Sequence, residues 1–181
     1  QADVFVVVAF RMLPEAVWSI PPKGTINLHA SLLPQYRGSA PINRVIMNGE
    51  TTTGVTTFLI DDKIDFGNIL LREEVPIYPF ENAGDLHDKL MRLGARLIVK
   101  TLEGIADDSL KPKLQDQYMT PGETLKTAPK IFPPDCMINW NNPPETICNF
   151  IRGLAPYPGA RSSINTDKGN LTLKIFECLA E

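Results

Sequence analysis

The chain has 181 residues, 43% of them apolar, with a net charge of −3 and a pI near 5.5. That length holds one ordinary domain, or one domain and part of a second, and the apolar share supports a packed core rather than a disordered chain. The acidic balance is not that of a protein held to nucleic acid by a basic surplus, and three cysteines without a Cys-x-x-Cys pair argue against a zinc site or disulfide framework and for reduced cytosolic thiols.

Val4 to Phe10 is an unbroken β-branched and aromatic run, the pattern of a strand covered on both faces in a parallel sheet. Leu13 to Trp18 fits a short helix with Pro14 near its start. Pro21-Pro22-Lys23-Gly24 is a turn, Thr25 to His29 a second short strand, and Leu33 to Gly38 a loop. Ser39 is placed to cap a helix that has Pro41 in its first turn, runs to Met47 and stops at Asn48-Gly49. Gly54 to Ile60 and Ile69 to Ile77 read as third and fourth strands around a polar loop, Asp61 to Gly67.

Residues 83–104 carry the clearest helical period. Leu86, Leu90, Leu93, Leu97 and Thr101 recur every third or fourth position and share one face, with Gly104 at the end. Pro112, Pro121, Pro129, Pro133 and Pro134 then loosen the pattern into a connecting segment. Beyond it come Trp140, a helix over Glu145–Gly153, a turn at Pro156-Tyr157-Pro158-Gly159 and a strand over Leu171–Phe176. Strands alternating with helices predict an α/β first domain over 1–125, a linker over 126–137 and a second domain over 138–181. Both ends fall close to strands and read as cut from a longer protein.

If the first three strands are parallel, the loops after Phe10, His29 and Ile60 share the carboxyl edge of the sheet, where ligands bind. Asn27 and His29 are two residues apart in a strand and therefore project to one face. An amide there can hold a developing oxyanion, and an imidazole can move protons near neutral pH. Asp61, Asp62 and Asp65 crowd the following loop. A carboxylate beside an imidazole favours its charged form, but three aspartates also suit a solvated turn or a metal, and spacing alone does not bring Asp65 to His29. His87, beside Asp88 and off the apolar stripe, reads as a surface residue. The sequence contains no dinucleotide fingerprint, P-loop or Gly-x-Ser-x-Gly, so nucleotide-cofactor and serine-hydrolase chemistry have no support.

Asn27-Leu28-His29, followed by Ser31-Leu32-Leu33-Pro34 and Tyr36-Arg37-Gly38, resembles the first motif of the 10-formyltetrahydrofolate-dependent formyltransferases. Gly54-Val55-Thr56-Thr57 leading to Ile64-Asp65-Phe66-Gly67 resembles the second. Ala40-Pro41-Ile42, Lys111-Pro112, Gln115-Asp116, Ile138-Asn139-Trp140 and Ile151-Arg152 before Pro156 and Pro158 are similar to members of the family that formylate aminoacyl-tRNA. The resemblance implies the C-terminal half of a Rossmann-like catalytic domain, then the start of an OB-like β-barrel, with further strands before residue 1 and most of the barrel after residue 181. It implies transfer of a formyl group from 10-formyltetrahydrofolate to the amino group of methionyl initiator tRNA, by a monomer that needs no metal and works in a bacterial cytoplasm or an organellar matrix. Asn27, His29 and Asp65 would be catalytic; Phe10, Arg11, Met12 and Leu13, with Ser31, Leu32, Leu33 and Pro34, would border the folate. Lys63 and Phe66 depart from the family's frequent Gly and Thr beside Asp65. Two other readings stay open: a formyltransferase acting on an amino-sugar nucleotide, and a folate-binding fragment without turnover.

Overall fold

The computed structural model describes residues 2–9, 13–167 and 169–179. Strands β1 (Phe5–Val8), β2 (Thr25–His29), β3 (Thr52–Leu59) and β4 (Ile69–Pro76) form one sheet in chain order. β1 and β2 are parallel, with Phe5 opposite Thr25 and Val7 opposite Asn27. β3 runs antiparallel to β2, which puts Asn27 opposite Phe58 and His29 opposite Thr56, and β4 is antiparallel to β3. The sheet is mixed, so the condition that the first three strands be parallel is not met at β3. Hydrophobic pattern reports burial and is silent on direction, which depends on where the connecting chain returns.

β1 is also shorter than its apolar run, and it is not covered on both faces. Val6 and Val8 are exposed toward an open cavity, while Phe5 and Val7 are half-buried. Helix α1 (Glu15–Trp18) follows Pro14 directly. Helix α2 (Pro41–Met47) has Pro41 at its start, where a missing N–H leaves no bond unmade. Its cap position is held by Ala40, one residue past the expected Ser39.

Helix α3 (Ala83–Ala106) opens on a capping box: the Asn82 side chain accepts from the N–H groups of Gly84 and Asp85, and the Asp85 carboxylate accepts from Asn82 N–H. Leu86, Leu90, Leu93 and Leu97 are buried on its inner face and join Val45, Ile46 and Val55 in the main core. Thr101 completes that stripe, because its hydroxyl bonds Leu97 O at 2.7 Å and Thr57 Oγ1 at 2.9 Å. A buried hydroxyl paired in this way carries little desolvation penalty. The helix runs two residues past Gly104 before it stops.

The segment expected as a linker is stitched to the first domain. Tyr36 N–H donates to Lys126 O at 2.7 Å, Ala128 N–H to Arg37 O at 2.7 Å, and Ala40 N–H to Ala128 O at 3.1 Å. Gly38 sits at φ +122°, and a Cβ there would lie 2.4 Å from Ala128 O. Only glycine fits so close an approach in that backbone conformation. Helix α4 (Pro144–Leu154) then packs on α2, and Met47 of α2 lies against the second core of Cys136, Ile138, Ile151, Leu154 and Ala160. Strands β5 (Ala160–Thr166) and β6 (Gly169–Ile175) form an antiparallel pair after it. Among the described residues, no helix is long and apolar enough to cross a membrane.

Candidate active site

Strand alternation gives Asn27 and His29 one face of β2, and both side chains are buried at the wall of a cavity of about 1010 Å³. The cavity wraps the carboxyl ends of β1 and β2, with Val8, Ala9 and Leu13 on one side and Asp61, Lys63, Ile64 and Asp65 on another. The loop of Asp65 leaves β3 at the wrong end for this meeting, since Ile60 N–H donates to Thr25 O at the start of β2. It arrives by folding back across the sheet. Asp65 takes φ +60°, and its Oδ2 then lies 3.8 Å from His29 Nδ1 and accepts from Gly38 N–H at 2.9 Å.

The other imidazole nitrogen is committed. His29 Nε2 lies 2.9 Å from Tyr36 O. A carbonyl oxygen only accepts, so Nε2 carries the ring proton and the Nδ1 lone pair turns to Asp65 and the cavity. Nδ1 is thus the atom through which His29 can gain a proton, and the carboxylate stands ready to stabilise the imidazolium. Among the described residues, no hydrogen bond holds the Asn27 amide, which leaves its N–H groups free for a ligand oxygen.

Two residues outside the expected set fix the returning loop. The Gln115 amide donates to Asp65 O at 2.8 Å and to Gly67 O at 2.9 Å. Arg37 donates to Asp65 O at 3.2 Å and lies 3.6 Å over the centre of the Phe66 ring. Phe66 therefore acts as a seat for Arg37, where the cation meets the face of the ring. Burial pulls the Arg37 guanidinium below its usual pKa, and the carboxylates of Asp116 and Asp65 oppose that shift. Gln115 and Arg37 both stood in motif segments of the sequence. Nothing in the sequence signals that these two residues, 78 positions apart, meet at the Asp65 loop.

The expected folate neighbours divide. Leu13 lines the cavity, and Phe10, Arg11 and Met12 lie outside the described residues. Ser31, Leu33 and Pro34 are buried in a turn off the cavity wall, and Leu32 packs near Gly54. The turn is bound to β3: Leu33 N–H donates to Thr56 Oγ1 at 3.1 Å, and that hydroxyl donates to Ser31 O at 2.7 Å. Leu33 joins Phe58 and Ile69 in a third core cluster. His87 is exposed, 3.1 Å from Asp88 Oδ1, and stands on the rim of the cavity.

The sequence profile of the family described as Formyl transferase matches residues 1–102. The chain belongs to that family. A second profile, described as Formyl transferase, C-terminal domain, matches residues 130–181. Proteins named methionyl-tRNA formyltransferase are similar along almost its whole length: one from Bacteroides thetaiotaomicron is 50% identical and one from Azobacteroides pseudotrichonymphae 54% identical, each over 98% of this chain and 55% of the relative. The chain spans about half the length of these curated relatives. Among solved structures, a sugar N-formyltransferase from Shewanella shares the fold at TM-score 0.75 and 20% identity, over 99% of this chain and 71% of that one. HypX from Aquifex aeolicus, solved in complex with tetrahydrofolic acid, matches at TM-score 0.74 and 20% identity, over 90% of this chain and 27% of its own.

Proposed function

We propose that this formyl transferase moves a formyl group from 10-formyltetrahydrofolate to the amino group of methionyl initiator tRNA. The observation that carries the reading is the convergence of Asn27, His29 and Asp65, from a strand and a distant loop, on one cavity at the strand ends. The relatives' names supply the acceptor class, and the tetrahydrofolate bound to HypX supports the donor class. The donor's pteridine would lie beside Leu13 and the Asp65 loop, with Phe10, Arg11 and Met12 next to it in the chain. The turn at Ser31, Leu32, Leu33 and Pro34 serves the donor indirectly, by holding the end of β2.

In this mechanism the acceptor amine attacks the formyl carbon, and the carbonyl π electrons move onto oxygen. The Asn27 amide donates to that oxyanion, as a preorganised donor does in acyl transfer. The amine proton passes to His29 Nδ1, where Asp65 stabilises the resulting charge. The bond from the formyl carbon to N10 of the folate then breaks, N10 takes the proton, and a formamide and tetrahydrofolate leave.

The same reading divides the chain into a catalytic unit over 1–125, a connection over 126–137 and a second unit over 138–181. The first would be part of a Rossmann-like sheet, supported by the parallel pairing of β1 and β2. The second would begin an OB-like barrel, supported by the β5–β6 pair. The test offers isotope-labelled formyl donor to methionyl-tRNA and to an amino-sugar nucleotide. Label in the sugar and none in the aminoacyl-tRNA would replace the proposed acceptor.

A further inference from the structure

A second cavity, of about 570 Å³, lies between α2, the start of α3 and the turn after α4. Ile42, Asn43 and His87 border both this cavity and the one that holds Asn27 and His29, so the two spaces are contiguous. Its far wall is Ala155, Pro156 and Tyr157. Tyr157 is 81% exposed, in a turn that is itself fixed. Gly84 N–H donates to Ala155 O at 3.2 Å, and a Cβ on Gly84 would meet Pro156 Cδ at 2.7 Å.

We propose that this second cavity receives the terminal nucleoside of the aminoacylated RNA acceptor, with the Tyr157 ring as the surface on which its base stacks. The proposal rests on the acceptor reading above and deepens it. In an aminoacyl ester only the α-carbon and the carbonyl carbon separate the amine from the ribose oxygen. An amine seated at His29 therefore obliges the ribose and its base to occupy space adjoining the first cavity, and the second cavity adjoins it. The aromatic wall suits any base, because every base has a π face. The polar lining suits the sugar: the Asp85 and Asp88 carboxylates accept from hydroxyls and repel phosphate, so the nucleoside lies within and its phosphate outside. The start of α3 offers an anion little, since Asn82 already caps two of its N–H groups.

The test compares Tyr157→Ala and Tyr157→Phe with the unsubstituted full chain, in steady-state transfer from 10-formyltetrahydrofolate to methionyl-tRNA. Tyr157→Ala should lower acceptor kcat/KM by roughly tenfold to a hundredfold with donor KM unchanged, and Tyr157→Phe, which keeps the ring, should stay within about twofold. An unchanged acceptor kcat/KM in Tyr157→Ala overturns the proposal, as does an equal loss in Tyr157→Phe or a change confined to donor KM. A second readout needs no transfer: the fluorescence of an oligoribonucleotide ending in 2-aminopurine riboside, which is quenched when the purine stacks. Quenching by the unsubstituted chain and Tyr157→Phe, but not by Tyr157→Ala, supports the nucleoside site even where methionyl-tRNA is not formylated, a result that would count against the acceptor reading alone. Quenching that is absent or indifferent to Tyr157 overturns the site.

Discussion

Arg37 Nη2 donates to Gln115 Oε1 at 2.6 Å, and that contact decides which way the Gln115 amide faces. A guanidinium carries donors only, so the amide oxygen turns to Arg37 and the NH2 group to the carbonyls of Asp65 and Gly67. Gln115→Ala should free the loop that presents Asp65. Gln115→Glu should do more harm, because a carboxylate oxygen would then face two carbonyls in a buried place. A lost buried partner costs about 1–3 kcal/mol. The expected result is a fall in kcat/KM of roughly tenfold to a hundredfold for Gln115→Ala and a larger one for Gln115→Glu, measured by steady-state transfer. Wild-type activity in Gln115→Glu would mean that the loop holds itself.

Substitution at Asp65 separates shape from charge. Asn at this position can still accept from Gly38 N–H, so the loop keeps its anchor, but no negative charge faces His29 Nδ1. Asp65→Asn should retain donor binding and lose turnover by about a hundredfold or more, while Asp65→Ala loses both. His29→Ala should likewise abolish measurable transfer, and Asn27→Ala should cost on the order of a hundredfold to a thousandfold in kcat. His87→Ala should leave kcat near normal and change at most the acceptor KM, because that ring is exposed, lies 3.1 Å from Asp88 Oδ1 and stands on the rim that the two cavities share. Single-turnover kinetics with separately measured donor binding distinguish these outcomes. Donor affinity lost in Asp65→Asn would show that its charge shapes the pocket rather than the reaction.

The sequence was most legible where geometry is local. Leu86, Leu90, Leu93 and Leu97 declare an amphipathic helix because period and burial coincide, and Asn27 and His29 share a face because strands alternate. The family motifs named Asp65, but no local rule brings it to His29. That meeting needs a loop that leaves the far end of the sheet and returns under the hold of Gln115, which lies 50 residues further along the chain. The direction of β3 was lost for the same reason. Ser31 to Pro34 carry a second task that the motif does not announce, since the hydroxyl of Ser31 and the amide of Leu33 are occupied by the turn they build.

Gly67 sets a steric limit on the same loop. A Cβ there would lie 1.7 Å from Leu59 O, a backbone atom held in the sheet. Gly67→Ala must therefore push the loop outward and loosen the Gln115 contact to Gly67 O. Activity should fall at least tenfold, with a drop of several degrees in Tm, as expected for overpacking of about 1–3 kcal/mol. Normal activity with normal Tm would show that the loop has room to move without losing Asp65.

Thr101→Val tests the polar member of the apolar stripe. Valine matches threonine in volume but leaves the Thr57 hydroxyl without its partner in the core. Thr57 keeps its contact from Leu71 N–H at 3.1 Å, but two hydrogen bonds are lost, Thr101 to Leu97 O and the Thr57–Thr101 pair, about 1–3 kcal/mol in all, with Tm lower by several degrees. Transfer kinetics should not change, since Thr101 lies across the sheet from Asn27 and His29. A stabilised Thr101→Val would mean that the hydroxyl pair contributes nothing over apolar contact.

Cys178 offers a test by pH. Burial pushes its thiol up from 9.0 to about 11, helped by a hydrogen bond to Cys148, whose Sγ lies 2.9 Å away. The folded chain therefore holds this proton more tightly than the unfolded chain. The resulting stability is fully present below pH 9.0 and is lost as pH rises through about 11. Thiolate, not thiol, is the nucleophile, so iodoacetamide at pH 8 should label Cys178 more slowly in the folded chain than in urea. Cys148→Ala removes two of the causes of the shift, the hydrogen bond and the charge of Cys148, and should speed that labelling, with the rate still rising as pH approaches the lowered value. Mass spectrometry of the Cys178 peptide gives each rate directly, and equal labelling in the folded and denatured chain would show that Cys148 does not hold this thiol.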